Sequence, residues 1–137
     1  MLRVYVDTNV ILRFLLNDPP EMAEKAAQVF EAAEKGEVTL VVNAIVIAEA
    51  IWVLQSFYKQ SIPTISKAIT DLILNEGILI EDKVTLLSAL HLYEMRRIDF
   101  IDAWLAAIMQ QQGIQQIFSF DEHFDRVAEI QRLEPGT

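Results

Sequence analysis

Apolar and polar positions alternate from Leu2 to Val6, with β-branched residues at Val4 and Val6, and this spacing predicts a strand. Asp7, Thr8 and Asn9 follow, all of them helix-capping residue types, and Val10 to Leu16 predicts a short helix. A second helix is expected with Asp18 as N-cap and Pro19 in its first position. Met22, Ala26, Val29, Phe30 and Ala33 give it one apolar face, and Gly36 ends it. Val38 to Val42 predicts a strand. Ala44 to Tyr58 predicts a helix that is apolar nearly all round and is therefore expected to be buried. Pro63 opens another helix, with Ile65, Ala68, Ile69, Leu72 and Ile73 inward and Gly77 as its stop. A short strand is expected over Ile78 to Ile80. Helices are expected over Lys83 to Arg97, capped by Asp82, and over Phe100 to Gln112, closed by Gly113. The chain then predicts a strand over Ile117 to Phe120, a short helix over Glu122 to Val127 and a last strand over Ile130 to Leu133.

Strands alternate with helices throughout. That order predicts the α/β class, with a parallel sheet covered by helices on both faces. The 137 residues fit a single domain over 1–137, without an internal repeat or an interior linker. In such sheets ligands bind at the carboxyl ends of the strands, so the residues just after each strand carry the functional expectation.

Composition narrows the chemistry. Apolar residues make up 53% of the chain and charged residues 23%, which is incompatible with a disordered segment. The absence of Cys excludes disulfide scaffolds, zinc-thiolate sites, iron–sulfur clusters and cysteine nucleophiles, and fits a reducing compartment. The net charge of −9 means that the overall field does not attract nucleic acid, so any such chemistry needs bound cations or a local basic patch. The longest apolar stretch, Leu40 to Leu54, is broken by Asn43 and Glu49 and is shorter than the roughly 20 residues of a membrane span. No export signal is read at the start of the chain, and a cytoplasmic protein without a membrane partner is expected.

Acidic residues recur where ligands are expected. Asp7 follows the first strand, Glu49 lies in the helix after the second, and Asp121 follows the strand ending at Phe120. Asp99 and Asp102 are three residues apart, on one face of the helix start before that strand. Glu49 is the most informative of these. It sits between Ala44-Ile45-Val46-Ile47-Ala48 and Ala50-Ile51-Trp52-Val53-Leu54, and no Lys or Arg occurs from Glu37 to Tyr58. A buried carboxylate there requires a metal ion or a distant cation such as Arg13 or Arg97. Asp102 precedes a similarly apolar run and is either a site residue or a carboxylate favoured by the helix dipole. Asp99 is equally compatible with an N-cap and with an accessory role, and Asp7 and Asp121 taken singly read as caps.

Clustered carboxylates raise one another's pKa unless a cation intervenes. Mg²⁺ and Mn²⁺ prefer carboxylate and water oxygens, and such ions activate water and brace phosphoryl oxygens, the chemistry of phosphodiester cleavage. They also supply the local positive field that an acidic chain lacks. The two histidines, His91 and His123, have no neighbour at zinc-ligand spacing, and P-loop, GxGxxG and GxSxG patterns are absent. Arg13, Arg96 and Arg97 are candidate phosphate contacts, or else solvated surface charges. Phe14, Trp52, Phe57 and Tyr58 offer base stacking or a partner groove, but their helical spacing favours core packing.

Four segments, in order, resemble the PIN domain family and, within it, the VapC-type toxin ribonucleases. They are Val6-Asp7-Thr8-Asn9-Val10, Ala48-Glu49-Ala50 with Trp52-Val53-Leu54, Asp99 to Ala107, and Phe118 to Phe124. The resemblance implies a PIN-like three-layer α/β/α sandwich with a central, mainly parallel sheet. It implies a Mg²⁺- or Mn²⁺-dependent endoribonuclease acting on single-stranded RNA, with Asp7, Glu49 and Asp102 as core metal-binding carboxylates and Asp121 as a fourth, more variable acid. Thr8 or Asn9 would orient Asp7 and the metal waters, and Asp99 matches an extra acid of some members. Where the usual motif has Asp-Ala-Leu, this chain has Asp102-Ala103-Trp104. Toxin-type members are typically homodimers neutralised by a small antitoxin protein, so both partners are expected by resemblance. Two rival readings are a non-catalytic PIN-like partner-binding module and a phosphotransfer receiver. The receiver is disfavoured because paired acids after the first strand and a late Lys are missing.

Overall fold

The structure is a computed structural model that describes residues 2–136. The chain packs as two compact units, Met1–Glu81 and Asp82–Thr137.

The first unit runs β1 (Arg3–Tyr5), α1 (Thr8–Leu16), α2 (Pro20–Glu34), β2 (Thr39–Val41), α3 (Ala44–Ser56), α4 (Ile62–Ile73) and β3 (Ile78–Leu79). Its sheet has the order β1-β2-β3, and both pairings are parallel. Val4 stands opposite Leu40, which in turn stands opposite Ile78. Helices separate each pair of strands, so the parallel arrangement anticipated from the alternation of elements is the one observed. Ile11, Leu40, Ile47, Leu54, Ile65 and Ile73 are fully buried, and Phe14 stacks on Phe30 with ring centroids 4.5 Å apart. Each such side chain stabilises the fold by about 1.5–3 kcal/mol through apolar area removed from water.

Three expectations need correction here. The helix α2 begins one residue later than anticipated: Pro19, not Asp18, is the N-cap, and Pro20 takes the first helical position. Pro20 forces the residue before it into extended backbone, and Pro19 has φ −70° and ψ 155°. Gly77 is not the stop of α4, which already ends at Ile73. Its role is close approach, because a Cβ at this position would overlap the Ala33 carbonyl. Finally, α3 is not buried all round. Ile47, Ala50, Ile51 and Leu54 form its buried stripe, while Ile45 and Trp52 are 73% and 66% exposed. One helix turns one stripe toward a core, and apolar residues off that stripe stay in water.

The second unit runs α5 (Lys83–Arg96), α6 (Phe100–Gln112), β4 (Gln116–Phe118), a short 3₁₀ helix (Glu122–Arg126) and β5 (Gln131–Leu133). Helices α5 and α6 pack on each other. The Tyr93 and Phe100 rings meet edge to face, and the Thr85 hydroxyl donates to Gln111 Oε1 at 2.6 Å. Strands β4 and β5 pair in parallel, with Ile117 opposite Arg132. Among the described residues, no helix is long and apolar enough to cross a membrane.

Candidate active site

In the first unit the chain leaves β1 at Val6, whose N–H donates to the Val41 carbonyl at 3.1 Å. Asp7 then turns the chain into α1. Its extended backbone and its carboxylate, which accepts from the Val10 N–H at 3.1 Å, make it the N-cap. One carboxylate oxygen is thus used for capping, and the side chain remains exposed at the carboxyl end of a parallel strand. Thr8 is half-buried as the first residue of α1, and Asn9 is exposed. Asn43 repeats the motif one strand over, capping α3 through its bond from the Ile45 N–H at 2.9 Å.

Glu49 differs from its expectation. It is exposed, on the same face of α3 as Ile45 and Trp52, and forms no ion pair among the described residues. The desolvation argument for a buried carboxylate therefore does not apply, and neither does the alternative of a structural pair with Arg13 or Arg97. Helix α3 packs on α1, the helix that Asp7 caps.

A cavity of about 380 Å³ opens beside Asp7, between α1 and α2. Asp7, Asn9, Arg13 and Lys25 supply its polar lining, and Val10, Met22, Ala26 and Val29 its apolar wall. Arg13 donates from Nη1 to the Asp18 carbonyl at 3.2 Å, which braces the turn between the two helices. Its Nε is buried and has no hydrogen-bond partner among the described residues.

In the second unit, Asp99, Asp102 and Asp121 interact. Asp102 lies in the first turn of α6, and Asp99 occupies the N-cap position of that helix without making a side-chain capping bond. The main chain of Asp99 still accepts the Ala103 N–H at 2.9 Å, so its carboxylate is left to act on Asp102. The Asp102 carboxyl is held above the usual carboxylate range. Burial is the largest cause, followed by the charges of Asp121 and Asp99 and by a hydrogen bond with Asp121, while His123 pulls the other way. Asp99 also helps raise the Tyr93 phenol to about 12, after the larger effect of burial.

Asp121 is held at its main chain and at its carboxylate. Its N–H donates to Ser119 Oγ at 2.9 Å, and its carboxylate accepts from the His123 N–H at 2.8 Å and faces His123 Nδ1 at 3.2 Å. Arg132, on β5, holds the loop from behind, donating to the Ser119 carbonyl at 3.1 Å and pairing with Asp125. Ser119, His123 and Arg132 were not assigned site roles from sequence. The Ser-x-Asp spacing was a readable signal for the first, whereas nothing local in sequence ties Arg132 to Ser119, 13 residues earlier. Arg96 is half-buried and donates to the Arg126 carbonyl at 3.4 Å, while Arg126 donates to the carbonyl of Arg97. This reciprocal clasp ties the end of α5 to the 3₁₀ helix, and Arg97 stands exposed in left-handed backbone at the C-cap.

Among the described residues, no group of three or more His, Asp or Glu side chains is gathered closely enough to hold a metal ion by itself. The pair Asp102–Asp121 nonetheless fits the way Mg²⁺ binds, through one or two carboxylates with waters completing its octahedron. The donors are all hard oxygens, and a cation would relieve the repulsion that raises Asp102. Of the aromatics expected to pack in the core, Phe14 is half-buried and stacks on buried Phe30, whereas Trp52, Phe57 and Tyr58 are 66%, 73% and 42% exposed.

The family model described as PIN domain matches residues 4–130. The chain is also similar to a VapC ribonuclease of Aquifex aeolicus (strain VF5). The two are 28% identical over 123 residues, covering 89% of this chain and 90% of that protein.

Proposed function

Since the chain belongs to the PIN domain family, we propose that it is a Mg²⁺- or Mn²⁺-dependent endoribonuclease cleaving single-stranded RNA, and the toxin of a type II toxin–antitoxin pair. The observation that carries this reading is the contact between Asp102 and Asp121, two carboxyl groups whose mutual repulsion a divalent cation would relieve. The similarity to a VapC ribonuclease supports the substrate class and the toxin role. The match over 4–130 supports a single domain over 1–137 and the three-layer α/β/α architecture.

By resemblance to the family's motifs, the metal-binding and catalytic carboxylates of this proposal are Asp7, Glu49, Asp102 and Asp121, with Asp99 as an accessory acid beside Asp102. Bound there, the ion supplies a water of lowered pKa and a counter-charge for the phosphoryl oxygens. The chain's own residues do the rest. Asp7 is oriented by its capping bond, with Thr8 and Asn9 beside it. The His123 N–H holds the Asp121 carboxylate, Ser119 holds the Asp121 main chain, and Arg132 holds the Ser119 carbonyl. Arg13, Arg96 and Arg97 offer positive charge to RNA phosphates, which a chain of net charge −9 needs locally.

The exposed Trp52, Phe57 and Tyr58 support a protein partner on α3, either a second copy in a homodimer or a small antitoxin. A non-catalytic partner-binding module is the second reading, favoured by that same aromatic surface. A cytoplasmic location belongs to the proposal as well.

The test is purified protein with mixed single-stranded RNA in Mn²⁺, in Mg²⁺ and in EDTA. Cleavage that requires metal and is lost in Asp7→Asn and Asp102→Asn supports the nuclease. Equal activity in Asp7→Asn removes Asp7 from the core, and no cleavage with either metal favours the non-catalytic module.

A further inference from the structure

The cavity between α1 and α2 combines three features that the carboxylate chemistry does not use. Arg13 Nε is buried and without a partner. Arg13 nevertheless lines the cavity and forms no ion pair among the described residues, so no carboxylate neutralises its guanidinium charge there. Lys25 lines the same cavity and forms no ion pair among the described residues, although Glu21 stands one turn earlier at a pairing distance in sequence. The wall between these two cations is apolar, with Val10, Met22 and Val29, and Met22 is 45% exposed. Asp7 lies at the same cavity.

We propose that this groove is a nucleotide subsite for the RNA substrate, in which Lys25 and Arg13 take a backbone phosphate and the Val10–Met22–Val29 wall takes the adjoining base. The assignment rests on the nuclease reading and deepens it by naming where the strand lies next to Asp7. Charge complementarity favours RNA over an acidic chain's other ligands. On a protein of net charge −9, Arg13 and Lys25 outweigh the one carboxylate, Asp7, that lines this cavity, so it is locally positive and a polyanion is its matching ligand. The volume of about 380 Å³ is near the lower end of the roughly 300–1,000 Å³ typical of small-ligand pockets, which suits one unstacked nucleotide rather than a duplex. Lys25 is a substrate-binding residue in this scheme and takes no part in the hydrolysis itself.

Binding is measured in EDTA, so that the result is independent of cleavage. The probe is a fluorescent single-stranded RNA of mixed sequence, titrated at several salt concentrations. Lys25→Gln removes one exposed charge without disturbing the Arg13–Asp18 brace. It is expected to weaken binding roughly 3- to 10-fold and to lower the slope of log K against log salt by about 0.7, the contribution of one single-strand phosphate contact. Met22→Glu is expected to weaken binding further. A 4-thiouridine version of the RNA is expected to crosslink within residues 20–34. Unchanged affinity and slope in Lys25→Gln, or no RNA binding by the wild type in EDTA, overturns the subsite. Metal-dependent cleavage by the same preparation then still upholds the nuclease, so the two failures are distinguishable. Crosslinking of a co-purified protein to the groove, with RNA excluded from it, assigns the groove to a protein partner and likewise overturns the proposal.

Discussion

Asp121 stands close enough to Asp102 to help raise its carboxyl above the usual carboxylate range, although both are acids and lie 19 positions apart in sequence. Such a contact is stable only if one group keeps its proton or a cation sits between them. Burial and the neighbouring charges select Asp102 as the group that resists ionisation.

A pH dependence of stability follows, and its sign is fixed. A carboxyl whose folded pKa is raised binds protons more tightly in the folded state, so stability is lost as pH rises from the ordinary carboxylate value through the folded one. In EDTA, Asp102→Asn is therefore expected to melt above wild type at pH 7. The gap should close as the pH is lowered below the ordinary carboxylate value. Thermal melts from pH 3.5 to 7 check this, and a gap that widens toward acid would refute it. Added Mn²⁺ should raise the melting temperature of wild type and leave Asp102→Asn unmoved.

Asp7 has two separable duties. Asn caps a helix about as well as Asp, so Asp7→Asn is expected to keep wild-type stability while losing metal-dependent cleavage by 100-fold or more, on the order seen when a key catalytic interaction is removed. Asp7→Ala should lose activity and, in addition, about 1 kcal/mol of stability as the Val10 N–H goes uncapped. Denaturant melts and RNA cleavage on both variants distinguish the duties.

Ser119 acts on Asp121 through a hydrogen bond to its backbone. Ser119→Ala leaves the Asp121 N–H without its acceptor and is expected to cost about 0.5–1.5 kcal/mol. If the bond orients the carboxylate, the Mn²⁺ concentration giving half-maximal activity should rise, roughly 10- to 100-fold, as for loss of a supporting partner of a metal ligand. A lower melting temperature with an unchanged metal requirement would make the bond purely structural.

Gly77 lies against the Ala33 carbonyl. Gly77→Ala is expected to destabilise the protein by about 1–3 kcal/mol, because main chain has to move to admit the methyl group. Urea unfolding checks this. Gly36→Ala offers a contrast, since open space surrounds Gly36 and only its φ of +80° opposes a side chain.

Local signals were sufficient for most of the architecture. Asp7, Asn43, Ser61 and Asp82 all cap helices, and each is a residue whose side chain reaches back to a nearby N–H. The alternation of strand and helix, with parallel pairing, follows from periods of 2 and 3.6 written into contiguous residues. The positions of Asp7 after β1 and Asp102 in the first turn of α6 were legible for the same reason.

What the chain determined alone is therefore what short-range geometry determines: elements, caps, parallel connection and a set of acids at strand ends. Tertiary structure decided which face of each helix met the core. It left Glu49 in water between Ile45 and Trp52, where an apolar neighbourhood in sequence had implied burial. It brought Asp121 against Asp102, set Arg132 behind Ser119 and lined one cavity with Asp7, Arg13 and Lys25. Those outcomes depend on how separate elements pack. Sequence neighbours report only the environment within a turn or two, while burial, pKa and charge pairing are set by whatever the fold carries in from a distance.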